Sequence, residues 1–251
     1  MTILIGIYML ILGMVLGSFY NVVALRVPAG ESVIHPPSRC PHCGTRLTAA
    51  DMVPVFSYIW SRGRCRHCEA PVSMLYPAGE AITGLLFLWM YLEYGWSMDT
   101  LTGLVLISLS VIITIADIHV MKIPNWILLF FLPILVVLVL LFPFTSLWSH
   151  LAGGIGGGLI LLIAALASRG GMGMGDIKLF ALYGWVLGLS SMLVALFTGC
   201  LLGLIAGLIL RSIGKNGKQQ PIPFGPFLAA GTLIAYVYGP SIISGYLSLF
   251  A

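Results

Sequence analysis

The chain reads as a series of long apolar stretches separated by short polar breaks. At roughly 20 residues per bilayer crossing, the pattern predicts spans at about 2–24, 79–97, 100–118, 124–143, 151–168, 176–190, 192–212 and 224–248. The sixth is short, and its boundary with the seventh is poorly marked. Runs such as Ile127–Leu141 lack the apolar–polar alternation of barrel strands. Lipid offers no partner for backbone polar groups, so the expected spanning element is the helix. The first basic residue, Arg26, follows the first apolar stretch instead of preceding it. That stretch therefore reads as a retained span and not as a cleaved signal peptide.

Composition agrees. Of 251 residues, 59% are hydrophobic and 8% charged, with a mean hydropathy of +1.06, whereas a soluble domain carries about 25% charged residues. The expected fold class is an all-α polytopic membrane protein of about eight transmembrane helices with one small polar loop domain. Charge sets its orientation. Arg26, Arg39, Arg46, Arg62, Arg64 and Arg66 lie between the first two spans, Lys122 between the third and fourth, and Arg169 between the fifth and sixth. Lys178 opens the sixth span, and Arg211, Lys215 and Lys218 lie between the last two. All fall at odd-to-even junctions, which the positive-inside rule places in the cytoplasm, with both termini outside. The net charge of +4 needs no nucleic-acid partner.

The sizeable polar segment, about 26–78, holds Cys40-Pro41-His42-Cys43 and Cys65-Arg66-His67-Cys68, two Cys-x-x-Cys pairs 21 residues apart. This is close to zinc-ribbon spacing: each knuckle offers two thiolates, and four close a tetrahedral structural site. Basic neighbours favour thiolate, and a reducing cytoplasm argues against two disulfides. His42 and His67 read as solvent-facing knuckle residues, and Cys200 as a small packing residue within the seventh span.

Two of the eight acidic residues end or open apolar segments: Asp117 in Ile115-Ala116-Asp117-Ile118-His119, and Asp176 in Gly173-Met174-Gly175-Asp176-Ile177-Lys178. A carboxylate at membrane depth costs roughly 2.5–3.5 kcal/mol on insertion scales, and so marks a candidate functional site. Asp117 ends the third span and Asp176 opens the sixth, so both are expected at the cytoplasmic end of the membrane, where they can meet. Two carboxylates around one water divide acid and base roles, because like charges a few Å apart do not both ionise. Singly, each has a plainer reading: Asp176 as an N-cap, Asp117 as a partner of Lys122 or His119. Several other residues invite structural roles. Arg26 reads as a topology anchor and Lys178 as a lipid contact. Glu80 sits at a helix N-terminus, Pro124 in a first helical turn, and Asn125 as a cap or a cross-helix partner. Gly153, Gly154, Gly156, Gly157 and Gly158 form a close-packing face.

These blocks together resemble the prepilin peptidases, bifunctional membrane aspartic proteases of type IV pilus, type II secretion and competence systems. The likeness covers nearly the whole chain. It rests on Gly17-Ser18-Phe19-Tyr20-Asn21-Val22 with Arg26 and Pro28, the double Cys-x-x-Cys loop, and Tyr76-Pro77-Ala78-Gly79-Glu80. It continues through Asp117 to Lys122-Ile123-Pro124-Asn125, Gly171-Met172-Gly173-Met174-Gly175-Asp176-Ile177-Lys178-Leu179, and Pro223-Phe224-Gly225-Pro226-Phe227. Details lean towards the Gram-positive competence-type enzymes. The resemblance implies a bacterial cytoplasmic membrane protein that cuts the basic leader of prepilins or pseudopilins after a glycine at the cytoplasmic face. It implies Asp117 and Asp176 as the catalytic pair, and methylation of the new N-terminus from S-adenosylmethionine. No Gly-rich nucleotide loop marks a site for that donor; the cysteine loop and nearby Glu80 are its candidates. The expected organisation is a first transmembrane helix at 1–25, a cytoplasmic zinc-binding loop at 26–78, a second transmembrane helix at 79–98 and a membrane aspartic peptidase core at 99–251. The competing readings are a small transporter using Asp117 and Asp176 as an ion site, and a scaffold without chemistry. Transporters usually hold such acids near the midplane within an internal repeat, whereas these acids are interfacial and no repeat is evident.

Overall fold

The computed structural model describes residues 2–168, 171–212 and 222–250. Arg169, Lys215 and Lys218, on which part of the charge pattern rests, lie outside them, as does the segment 215–220, which reads from its sequence as a plain cytoplasmic loop. The described residues are helical, with two isolated bridges, Arg39 to Arg46 and Arg64 to Pro71, as the extended pairing. The chain divides between Trp96 and Ser97 into two compact units.

The first unit contains α1 (Thr2–Arg26), a 3-10 turn (Ala49–Met52), the short α2 (Phe56–Trp60) and α3 (Leu75–Tyr94). Helices α1 and α3 pack together, and small residues bring their backbones close. A Cβ on Gly13 would come within 2.7 Å of the Thr83 carbonyl oxygen, and one on Gly17 within 2.9 Å of Glu80 Cα. Such contacts are how helices associate where burial from water offers no drive. Arg26, at the end of α1, is more than a topology anchor. Its Nη1 donates to the carbonyls of Ser32, Val33 and Pro36 at 3.1, 3.4 and 2.8 Å, folding the start of the loop over the helix end.

The second unit contains α4 (Met98–Val120), α5 (Asn125–Leu141), α6 (Leu147–Ala167), α7 (Met174–Leu187), α8 (Leu189–Ser212) and α9 (Gly225–Leu247). The eight long helices of the two units fall where the apolar runs predict spans, with ends displaced by a few residues. Six of them, α1, α3, α4, α6, α8 and α9, are long and apolar enough to cross a membrane. Helices α5 and α7 are shorter, at 17 and 14 residues. Helix α4 is the most enclosed of the six; α5 and α9 pack on it, α6 pairs with α7, and α8 with α9. The glycine face of α6 meets α7 and α8: Gly153 lies against the Gly184 carbonyl, and a Cβ on Gly156 would touch Met192 at 3.4 Å. The poorly marked boundary in the sequence falls at one residue, Gly188, at φ +75° between α7 and α8. A Cβ there would meet Ser149 Oγ at 2.9 Å, and that oxygen accepts the Leu189 N–H at 3.1 Å.

Candidate active site and cysteine centre

Both membrane-level aspartates lie in the second unit, near helix ends. Asp117 is three residues from the end of α4 and is buried. The helix stops just beyond it, where Met121 turns left-handed (φ 50°, ψ 39°) and returns its N–H to the Asp117 carbonyl at 2.9 Å. Asp117 Oδ2 accepts the backbone N–H of Gly225, the first residue of α9, at 2.9 Å in a buried contact. A Cβ at position 225 would stand 2.8 Å from that same oxygen, so a larger residue there displaces the carboxyl or the start of the helix. Neither Lys122 nor His119 pairs with Asp117 among the described residues.

Asp176 is the third residue of α7; the N-cap is Gly173, so the N-cap expectation for Asp176 does not hold. Its Oδ1 is buried and finds no hydrogen-bond partner among the described residues. The carboxyls of Asp117 and Asp176 lie close enough for their charges to interact. The surrounding motif residues interlock. A Cβ on Gly175 would press within 2.7 Å of Ile123, which explains a glycine immediately before Asp176. Lys178 Nζ donates to Asn125 Oδ1 at 3.0 Å, so Lys178 ties α7 to the start of α5, and Asn125 is a cross-helix acceptor. Pro124 is the residue before α5, its N-cap, and not within the first turn. The blocks at 117–125, 171–179 and 223–227 thus converge on one place.

In the first unit, Cys40, Cys43, Cys65 and Cys68 gather with all four sulfurs within 4.8 Å of one another. Cys40 Sγ and Cys68 Sγ are 3.8 Å apart, about the edge of a tetrahedron with metal–sulfur bonds of roughly 2.3 Å. The two knuckles fold alike. Cys40 N–H donates to Thr45 O and Cys65 N–H to Ala70 O, while Gly44 N–H and Glu69 N–H return to the first cysteine's carbonyl, all at 2.9 Å. The turn residue has positive φ in both, 71° at Gly44 and 58° at Glu69. Hydrogen bonding with Thr45, through its hydroxyl and then its backbone, brings the Cys43 thiol down to about 6. Backbone N–H groups of His67 and Cys68 lower Cys65. At Cys68 the Ala70 N–H acts in the same sense, but burial and the neighbouring sulfurs prevail and push it up to about 12. Sulfurs this close resist joint ionisation, so the cluster is a site able to hold a cation. His42 and His67 are exposed and stand outside it. Cys200 is exposed on α8, so it is not the packing residue its apolar surroundings predict.

The first unit also encloses a cavity of about 750 Å³, whose lining includes Asn21, Arg26, Asp51, Tyr58, Tyr76 and Glu80. Glu80 does not serve a helix terminus: α3 begins at Leu75, and Glu80 Oε2 accepts the Val55 N–H at 2.7 Å. Val55 has φ 63° and ψ −50°, an outlier for a β-branched residue, and such strain persists where the surroundings impose it. Asn21 Nδ2 donates to the Tyr76 carbonyl at 3.1 Å.

Taken together, the fold and its sites define a multi-pass helical membrane protein with a paired-carboxylate centre and a metal-ready cysteine loop. The models of two families match it: the bacterial peptidase A24 N-terminal domain over residues 11–94, and the type IV leader peptidase family over residues 104–208. The chain belongs to the type IV leader peptidase family. Among its relatives, a Bacillus subtilis protein named prepilin leader peptidase/N-methyltransferase is 42% identical, over 95% of this chain and 96% of that protein. Proteins of the same name from Aeromonas hydrophila and Neisseria gonorrhoeae are 35% and 32% identical, over 94% and 92% of this chain and 92% and 90% of theirs. The Bacillus relative agrees with the lean towards Gram-positive enzymes. No solved structure matches the chain.

Proposed function

We propose that this chain is a membrane aspartic endopeptidase that removes the leader from type IV prepilins or pseudopilins, cutting after a glycine, and then methylates the exposed N-terminus. The observation that carries the peptidase reading is the meeting of Asp117 and Asp176 from separate helices, one oxygen held by the Gly225 N–H and another without a partner. Between them they share one proton and one water. The ionised carboxyl takes a proton from the water as its oxygen bonds to the scissile carbonyl carbon. The protonated partner supports the developing oxyanion and passes its proton to the leaving amine nitrogen as the C–N bond breaks. The titration belongs to the pair.

The cysteine cluster would hold zinc through Cys40, Cys43, Cys65 and Cys68. Four sulfur ligands leave no open position, so this is a structural metal. The 26–78 loop serves as its module, with 99–251 as the peptidase core. S-adenosylmethionine supplies a sulfonium-activated methyl group. The cavity of the first unit fits such a donor, at a volume within the roughly 300–1,000 Å³ of small-molecule sites. Glu80 lines this cavity and holds Val55 through Oε2, and we assign its other carboxyl oxygen to the ribose hydroxyls of the donor. Charge asymmetry sets both termini outside and the dyad at the cytoplasmic face, where a prepilin's basic leader stays and its apolar helix is anchored.

Mass spectrometry of a co-expressed prepilin-like substrate tests this. The wild type is expected to yield a product cut after the leader glycine and heavier by one methylene. Asp117→Asn and Asp176→Asn reduce cleavage at least about 100-fold while the protein remains inserted. Glu80→Gln cuts but leaves the product unmethylated, and binds donor more weakly. Substantial processing by either Asn variant overturns the dyad, and a methylated product from Glu80→Gln overturns the cavity assignment.

A further inference from the structure

Ser110 of α4 and Tyr183 of α7 share a hydrogen bond at 2.9 Å in the interior of the second unit, 2% and 0% exposed. Among the described residues, Ser110 Oγ makes no other hydrogen bond. Their places in the sequence give the pair its meaning. Ser110 lies seven residues before Asp117, and Tyr183 lies seven residues after Asp176. Seven residues make close to two helical turns, about 10.5 Å of rise, so each hydroxyl occupies the same stripe of its helix as the aspartate. Helices α4 and α7 are thus linked at two levels with equal spacing along each helix: a hydrogen bond between hydroxyls, and carboxyls near enough for their charges to interact. A slip of one helix along the other would break the first meeting and misalign the second.

We propose that the Ser110–Tyr183 hydrogen bond is a register pin for the aspartate pair, which makes Ser110 and Tyr183 positioning residues for leader cleavage. This rests on the reading of Asp117 and Asp176 as a peptidase dyad. Neither hydroxyl touches the reacting atoms; the bond fixes the depth of α7 against α4, and so the separation of the carboxyls around their water. A bare stabilising role would lower the population of folded enzyme and leave each folded molecule as active as before. A register role lowers turnover in molecules that remain folded and still bind substrate.

Cleavage kinetics of purified full-length enzyme on a prepilin substrate separate the two. Tyr183→Phe and Ser110→Ala, measured per folded molecule, are expected to lower kcat about 10- to 100-fold, the scale set by small misplacements of catalytic groups, with KM unchanged. The double variant falls no further than the worse single one, because both remove the same bond. Ser110→Thr, which keeps the hydroxyl, retains most of the activity. Thr232→Val serves as the buried control: Thr232 Oγ1, also interior to this unit, has no hydrogen bond to lose among the described residues, and kcat stays at the wild-type level. Wild-type kcat in Tyr183→Phe overturns the proposal, as do losses confined to KM or to thermal stability, or single effects that multiply in the double variant. A wild-type enzyme that leaves the leader uncut overturns the peptidase reading itself, a result distinct from any of these.

Discussion

At Gly225 the enzyme has no room for a methyl group. The side chain of alanine would stand 2.8 Å from Asp117 Oδ2, and either the carboxyl or the start of α9 must move. Gly225→Ala is therefore expected to lower kcat about 10- to 100-fold by displacing one member of the pair. Gly231→Ala lies on the same helix but crowds the Ala195 carbonyl, so it costs stability without that loss of turnover per folded molecule. Equal specific activities in the two variants would remove Gly225 from the site. Asp117 and Asp176 stood out in the sequence as candidates, because a carboxylate within an apolar run is expensive and rare. The role of Gly225 did not. Its contact spans 108 residues and uses a backbone N–H that nearly every residue possesses, although Pro226 behind it does mark a helix start. Glu80 misled for a related reason: local spacing suggested a helix terminus, whereas its partner, Val55, is distant in sequence, as is the Asn125 partner of Lys178.

Among the elements, the long helices follow from apolar runs alone, and the cysteine knuckles from their spacing. The knuckles' likeness goes deeper than the Cys-x-x-Cys pattern, since both close with the same two hydrogen bonds although one turns at Gly44 and the other at Glu69. Elemental analysis is expected to find about one zinc per chain, the stoichiometry of a four-sulfur site. In Cys40→Ser that zinc is lost and the 26–78 loop opens to protease, because a small site of this kind couples metal binding to folding. A metal-free wild type with a protease-resistant loop would contradict the assignment. The strained Val55 and the short α2 were not readable beforehand; no local pattern demands them, and they answer to a carboxylate on α3. The α7–α8 boundary was obscured because the apolar pattern runs straight through the one-residue turn at Gly188.

For the whole molecule, charge asymmetry gives a directional expectation. A phosphatase fused to the C-terminus is active outside the cell, and the Arg62–Arg66 segment is open to trypsin only in inside-out vesicles. The opposite pattern reverses the orientation and moves the dyad to the other face. Membrane class and helix order came from the sequence because lipid leaves the chain few choices, while the division at Trp96 and the pairing of helices depend on packing between distant residues. Asp117 rides on α4, the most enclosed of the six spanning-length helices, and Asp176 rides on the short α7, which starts from Gly173 and ends at Gly188 in a conformation that side chains resist. The candidate site is thus a clasp of two halves, one on α4 and one on α7, joined two turns away by the Ser110–Tyr183 bond.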